Sequence, residues 1–453
     1  MSKDRISIFI FHRDLRIVDN LALNELAKVS KNIIPIFIFT PEQTSKTKNK
    51  YYNSNSIQFM VECLENLRKI TNNKLQLFYG KITTVIDLIF EKNNVEYIAF
   101  NQDYTPYAKE RTEEILKLAE KYDVNSIIEE DYTLIKMEDV REGNYYSVFK
   151  AYFNRMSKKK ILKPTIRNIK FSSVKLKGPK TYKQYHKLYQ QNDDLFFEGN
   201  RKQAVGILKN IKNFKKYNTT RTQPAINTTL LSAHIKFGTV SVREVYYSFK
   251  KLGSKNDLIR QLWWKDFYAQ MMYYLPSKNT IGGGNFQNKK IKWGTSQKLF
   301  KAWEDGKTGF PIIDAAMRQL KIHGWVHNRC RLIVSNFLSL IMNINWKKGE
   351  KLYAQNLVDY DVSSNNLNWQ WSSNVGTDRT SYLRVYNPFN QSKEVDKDCV
   401  YIKEYLPELE DVPNEDIHKW NKMWQEYEGE IDYPKPIFDF SKKYQEAKER
   451  YKK

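Results

Sequence analysis

The side chains of this 453-residue chain that could do chemistry gather in its second half. Trp264 lies in QLWWKDFY, and Trp293, Trp303 and Trp325 follow. Trp346 lies in NINWKKGE, and Trp369 and Trp371 lie in NNLNWQWSSNVGTD. The ordinary use of a tryptophan is to fill a helical core. That use does not account for WQW beside paired asparagines, Asp359 and Asp361, because polar groups enclosed by such rings need hydrogen-bond partners. This stretch is the candidate site. A rival fails. Gly306-Lys307-Thr308 in EDGKTGFP resembles the tail of a phosphate loop, but position 301 is Lys where the first glycine belongs, and no strand precedes it. Cys63, Cys330 and Cys399 have neither C-x-x-C nor His-rich spacing, so no disulfide framework or zinc site is indicated.

Charge points to a partner. Lys and Arg number 75 against 51 acidic residues, a formal net charge of +24. A basic globular protein suits a polyanion, with nucleic acid first. A Lys-, Asn- and Ile-rich coding bias would also raise the charge. Hydrophobic residues make up 41%, enough for real cores. The opening MSKDRISIFIFHRD lacks the apolar run of a signal peptide, and no stretch reaches the roughly 20 apolar residues of a membrane span. The expectation is an intracellular, soluble protein.

Two kinds of element must position the candidate residues. Over 1–130, short apolar runs at Ile6–Phe11, Ile33–Phe39, Leu75–Tyr79 and Tyr97–Phe100 predict buried strands. Amphipathic stretches at Ala22–Val29, Ile57–Ile70, Val85–Glu91 and Ala108–Tyr122 predict helices between them. Such alternation gives a Rossmann-like α/β domain with a parallel sheet, which takes ligands at the carboxyl ends of its strands. No G-x-G-x-x-G follows the first strand, so a nicotinamide site has no support. Residues 131–194 are expected to connect domains, and Phe171–Asp194 is polar, basic and broken by Gly-Pro. Residues 195–453 are expected to form a larger all-α domain. DAAMRQLKIHGW and NRCRLIVSNFLSLIMNI carry wide apolar faces, and SKKYQEAKERYKK reads as a solvated terminal helix.

The motifs FHRDLRIVDN, KAWEDGKTGFPIIDAAMRQL, GWVHNRCRLIVSNFL and LVDYDVSSNNLNWQWSSNVGTD, followed by LRVYNP and YIKEYLPEL, resemble the photolyase/cryptochrome family. The resemblance runs nearly end to end, is strongest over 217–407, and is closest to bacterial-type cyclobutane pyrimidine dimer (CPD) photolyases. It implies an α/β antenna domain and a helical domain binding FAD, active as FADH−. Tyr217, Thr228, Thr229, Leu231 and Ser232 would hold the FAD phosphates. Arg331 and Asp359 would pair beside the flavin ring, Asp361 would lie near its uracil-like edge, and Asn365 would face N5. Trp264 and Trp371 would wall a flipped dimer in UV-damaged DNA. Asn328 would contact the lesion, and Arg329 and Arg384 its phosphates. Trp369, Trp346 and Trp293 would relay an electron from the protein surface, since indole rings are oxidisable. The implied activity is that of a deoxyribodipyrimidine photo-lyase, a carbon–carbon lyase acting as a monomer.

Three positions depart from the pattern. Gln261 stands where CPD photolyases carry Glu, and (6-4) photoproduct enzymes carry Gln there. Those enzymes use two adjacent histidines, whereas this chain has His327-Asn328. Leu332 replaces a Met, keeping apolar bulk. Light-sensing cryptochromes place Asp or Cys opposite N5, against Asn365 here. Members of the family carry a folate, a deazaflavin, a flavin or no antenna chromophore, and the sequence does not choose among these. LPSKNTIGGGNF, residues 275–286, stands where folate-type members contact theirs, with other residues than usual.

Overall fold

The computed structural model describes residues 5–140, 144–253, 256–276, 280–281, 291–376 and 383–452. Most of the glycine-rich stretch considered for antenna contacts, residues 277–279 and 282–286, lies outside them. The chain divides into two compact units. The first takes residues 1–192, 197–215 and 231–277, and the second takes 193–196, 216–230 and 278–453.

The first unit holds β1 (Ile6–Ile10), β2 (Ile33–Phe39), β3 (Gln76–Tyr79), β4 (Val95–Asn101) and β5 (Asn125–Glu129). They pair in parallel in the order β3-β2-β1-β4-β5. Every residue of β1 and β2 is buried, as both faces of a parallel sheet under helices require. Helices Leu21–Val29, Ser54–Ile70, Ile82–Lys92 and Pro106–Lys121 lie between successive strands. Asn20, Asn53 and Thr105 start three of them, each side chain accepting from a backbone N–H of the first turn.

The units divide the chain differently from the expected segments. Asp131, at the start of the expected connector, is buried between Arg16 (2.5 Å) and Arg243 (2.6 Å), and Arg243 also donates to Asp19 at 2.9 Å. Leu134 N–H donates to Asp266 at 2.7 Å, and Lys265 donates to the Tyr132 carbonyl at 2.5 Å. These buried polar bonds hold helices Val242–Lys250 and Asp257–Tyr274 to the sheet unit. Residues 171–192 are not a free linker either. Ser172 N–H donates to Ile33, and Tyr182 N–H to Leu77, along the sheet.

The second unit is helical around one large core. Its centre is the helix Pro311–His323, opened by Pro and ended by Gly324 in the left-handed region (φ 60°). The terminal helix Phe440–Lys452 is not merely solvated: Ala447 and Tyr451 are buried, and Arg450 donates to the Leu340 carbonyl at 2.6 Å.

Candidate functional site

In the second unit three helices, Asn328–Asn336, Trp346–Asn356 and Val362–Ser372, surround an open cleft. It is lined in part by Asn328, Arg331, Leu332, Asp359, Asp361, Asn365 and Trp369. The Arg331 guanidinium donates to Asp359 Oδ2 at 2.8 Å and, through Nε, to the Val326 carbonyl at 2.8 Å. The second Asp359 oxygen, Oδ1, is buried without a hydrogen-bond partner. A buried carboxylate oxygen left open beside a cleft is an acceptor waiting for a ligand donor. Asp361 caps the Val362–Ser372 helix, accepting from Ser364 N–H at 2.9 Å and Ser363 Oγ at 2.5 Å. One turn on, the Asn365 amide donates to Glu350 Oε1 at 3.1 Å, and Tyr360 O–H donates to the same oxygen at 3.2 Å. Glu350 thus fixes which way the Asn365 amide points, with Nδ2 committed and Oδ1 an acceptor.

The three tryptophans expected to relay electrons share one core. Trp369 and Trp346 are each 3% exposed, and the half-buried Trp293 packs against the same core. Trp346 opens its helix, and the Trp293 segment is tied beside it by Gly294 N–H donating to the Asn343 carbonyl at 2.7 Å. Gly349 lets the helices approach, because a side-chain carbon there would overlap the Trp369 ring. Sequence reasoning missed two rings that touch Trp369. Tyr353 meets it edge-on at 5.1 Å and Trp303 at 6.3 Å. Burial pushes the Tyr353 phenol well above its usual range, and its hydroxyl has no partner. Tyr353 was findable, since it stands two turns along the helix that Trp346 opens, an aromatic group on the same face.

At the far end of the Val362–Ser372 helix, the Arg384 guanidinium lies 5.8 Å from the Trp371 ring. Asn336 sets this pairing. Its amide donates to the Ser372 carbonyl at 3.1 Å and the Arg384 carbonyl at 2.9 Å, while its oxygen accepts from Tyr386 N–H at 3.0 Å. Asn328 is exposed and Arg329 half-buried at the start of their helix, where His327 Nδ1 accepts from Arg329 N–H. Burial, with Arg331 and Arg329 nearby, pushes His327 down to about 4, so its ring is neutral at neutral pH.

Other sequence-predicted residues stand elsewhere. Gln261 and Trp264, three apart on the Asp257–Tyr274 helix, belong to the first unit, both half-buried. Gln261 donates to the Asp257 carbonyl at 3.3 Å. The residues expected to hold the FAD phosphates are split between the units. Tyr217, Thr228 and Thr229 fall in the second unit, and Leu231 and Ser232 in the first. Leu230 between them adopts a left-handed φ of 50°. The rejected phosphate loop does cradle an anion, but one of its own chain: Thr308 and Gly309 N–H groups donate to Asp314 at 2.9 Å.

A doubly wound parallel sheet in one unit, and in the other a helical core opening on an Arg–Asp–Asn cleft among tryptophans, are the two-unit architecture that the sequence resemblance implies. Comparison with known proteins agrees. Residues 7–169 match the family model described as DNA photolyase, and residues 258–453 the FAD binding domain of DNA photolyase. A deoxyribodipyrimidine photo-lyase of Buchnera aphidicola subsp. Acyrthosiphon pisum is 32% identical, over 95% of this chain and 93% of that protein. The archaeal photolyase of Sulfolobus tokodaii, solved with two FAD molecules, superposes with a TM-score of 0.87 at 32% identity, covering 98% of this chain and 99% of the other. A bacterial class III photolyase of Agrobacterium tumefaciens gives 0.89 at 26% identity, covering 100% and 98%. The chain belongs to the DNA photolyase family. Among the described residues, no helix is long and apolar enough to cross a membrane.

Proposed function

We propose that this chain is a deoxyribodipyrimidine photo-lyase, which binds UV-damaged DNA with a cyclobutane pyrimidine dimer flipped from the helix and splits that dimer under blue light. The observation that carries the reading is the cleft around the Arg331–Asp359 pair, with an open Asp359 oxygen and an amide set by Glu350. FAD, when bound in its reduced anionic form, would lend the photoexcited electron that opens the cyclobutane ring and would take it back once the two pyrimidines have separated. The donor set fits that group. The Arg331 guanidinium would offset a buried negative charge, and Asp359 Oδ1 and Asn365 Oδ1 would be free to accept from N–H groups of the bound ring. Asp361 stands at the same cleft, and Tyr217, Thr228, Thr229, Leu231 and Ser232 are assigned to the phosphates. Trp293, Trp346 and Trp369 would relay an electron inward to reduce a resting oxidised flavin, a step of activation apart from repair.

Trp264 and Trp371 are the walls for the flipped bases, Gln261 and Asn328 polar contacts to them, and Arg329 and Arg384 phosphate contacts. The protein acts as a monomer, inside the cell with its DNA. The sheet-bearing first unit serves as the antenna domain, and the helical second unit, residues 278–453 with 193–196 and 216–230, as the FAD domain. An antenna chromophore fits the carboxyl end of the sheet where strand order reverses between β1 and β4. There the buried Arg111 keeps Nε and Nη2 without partners, and His12 keeps Nε2 without one. Gln261 favours a second reading, repair of (6-4) photoproducts, which Asn328 opposes.

Trp371→Ala is expected to weaken binding of dimer-containing DNA about 5- to 150-fold, the worth of one stacked base, with flavin content unchanged. Fluorescence anisotropy with a labelled oligonucleotide measures it. Unchanged affinity would remove Trp371 from the wall.

A further inference from the structure

Trp264 is a half-exposed indole on the Asp257–Tyr274 helix, and its ring is not left to choose its own plane. Phe149, on the helix Phe149–Met156 of the same unit, stacks on one face with ring centroids 3.6 Å apart and planes 6° apart. Phe267 meets the indole nearly edge-on at 5.6 Å and 86°, and Tyr268 lies at 5.7 Å. Phe149 is only 2% exposed, so it lies behind the indole, not over its solvent side. It is itself held. Phe153 packs one turn along at 5.7 Å and 25°, and the Arg260 guanidinium sits 5.2 Å from the Phe149 ring and 5.3 Å from that of Phe153. Arg260, Trp264, Phe267 and Tyr268 share one helical face, and Phe149 and Phe153 share the facing one.

We infer that Phe149 is a positioning residue, which fixes the plane of Trp264 so that its open face receives a flipped base without first being ordered. The inference rests on the reading of Trp264 as a lesion wall. An indole on an exposed helix face has two free side-chain torsions, and freezing them on binding weakens affinity. A parallel ring in van der Waals contact, with a second ring at the edge, freezes them beforehand. At 3.6 Å and 6° the two rings lie almost face to face, so what Phe149 supplies is a flat backing that holds the indole plane, and the gain is the ordering that binding no longer has to make.

Phe149→Leu keeps apolar bulk and removes the flat face. F149L is expected to bind dimer-containing DNA about two- to tenfold more weakly, the scale of one aromatic pair. Its affinity for undamaged DNA, its flavin content and its urea midpoint are measured alongside, and the first two are expected to match the parent. In a Trp264→Ala background F149L adds no further loss, because it acts through the indole. Phe153→Leu, one turn away, is the comparison: it touches Phe149 and acts on Trp264 only through it, so its loss of lesion affinity is expected to be smaller than that of F149L. Equal lesion affinity in F149L, a full further loss in the W264A background, or an equal loss in F153L would overturn the inference. W264A that binds the lesion like the parent would instead overturn the reading of Trp264 as a wall.

Discussion

Trp346→Phe is expected to stop light-driven reduction of the bound flavin and to leave repair intact when dithionite supplies the electrons. Trp346 is 3% exposed in the same core as Trp369, and the Trp293 segment is tied to its helix start. Phenylalanine fills most of that volume, so the packing cost is modest. What it removes is an oxidisable indole in the middle of the series, and a benzene ring does not give up an electron in its place. Stopped-flow absorbance under blue light with an external thiol measures the first half, and dimer repair after anaerobic dithionite treatment the second. Loss of repair in both conditions would make Trp346 a structural residue. Because Trp303 also touches Trp369, at 6.3 Å, residual photoreduction in Trp346→Phe that disappears in Trp303→Phe/Trp346→Phe would assign it to that second indole.

Arg331→Met is expected to yield protein without flavin and to lower stability by about 3 kcal/mol, the lower end of the cost of breaking a buried ion pair. The lower end applies because Arg331 is 25% exposed while Asp359 is 4% exposed. Methionine leaves Asp359 buried, with neither oxygen paired to a cation. Pairing it with Asp359→Leu removes the stranded charge and is expected to recover most of the urea midpoint, yet not the flavin. Recovery of flavin in that double variant would separate the ion pair from cofactor binding.

Much of the architecture was legible because buried parallel strands are continuous apolar runs. β1, β2 and β4 lie at or within two residues of their predicted bounds, and β3 within one. β5 escaped because NSIIE is an edge strand with Asn125 and Ser126 exposed, and neither an apolar run nor alternation marks it. The terminal helix read as solvated because lysines dominate its composition. Its buried stripe, Phe440, Ala447 and Tyr451, is thin. The segment 171–192 looked like a linker since its bonds to the sheet are made by backbone, which carries no side-chain signal. In the cleft, Arg331, Asp359, Asp361 and Asn365 were legible through the order of their motifs. Glu350 and Phe149 were not, because their roles arise only where two helices face each other.

The central claim is tested most directly with two oligonucleotides under blue light, one carrying a cyclobutane thymine dimer and the other a (6-4) photoproduct. The protein is reduced anaerobically, and each arm has a dark control. Recovery of thymine absorbance with the first alone is the expected result, and it would make Gln261 a tolerated replacement of the usual Glu. Recovery with the second alone, or with neither while FAD is bound, would contradict the account.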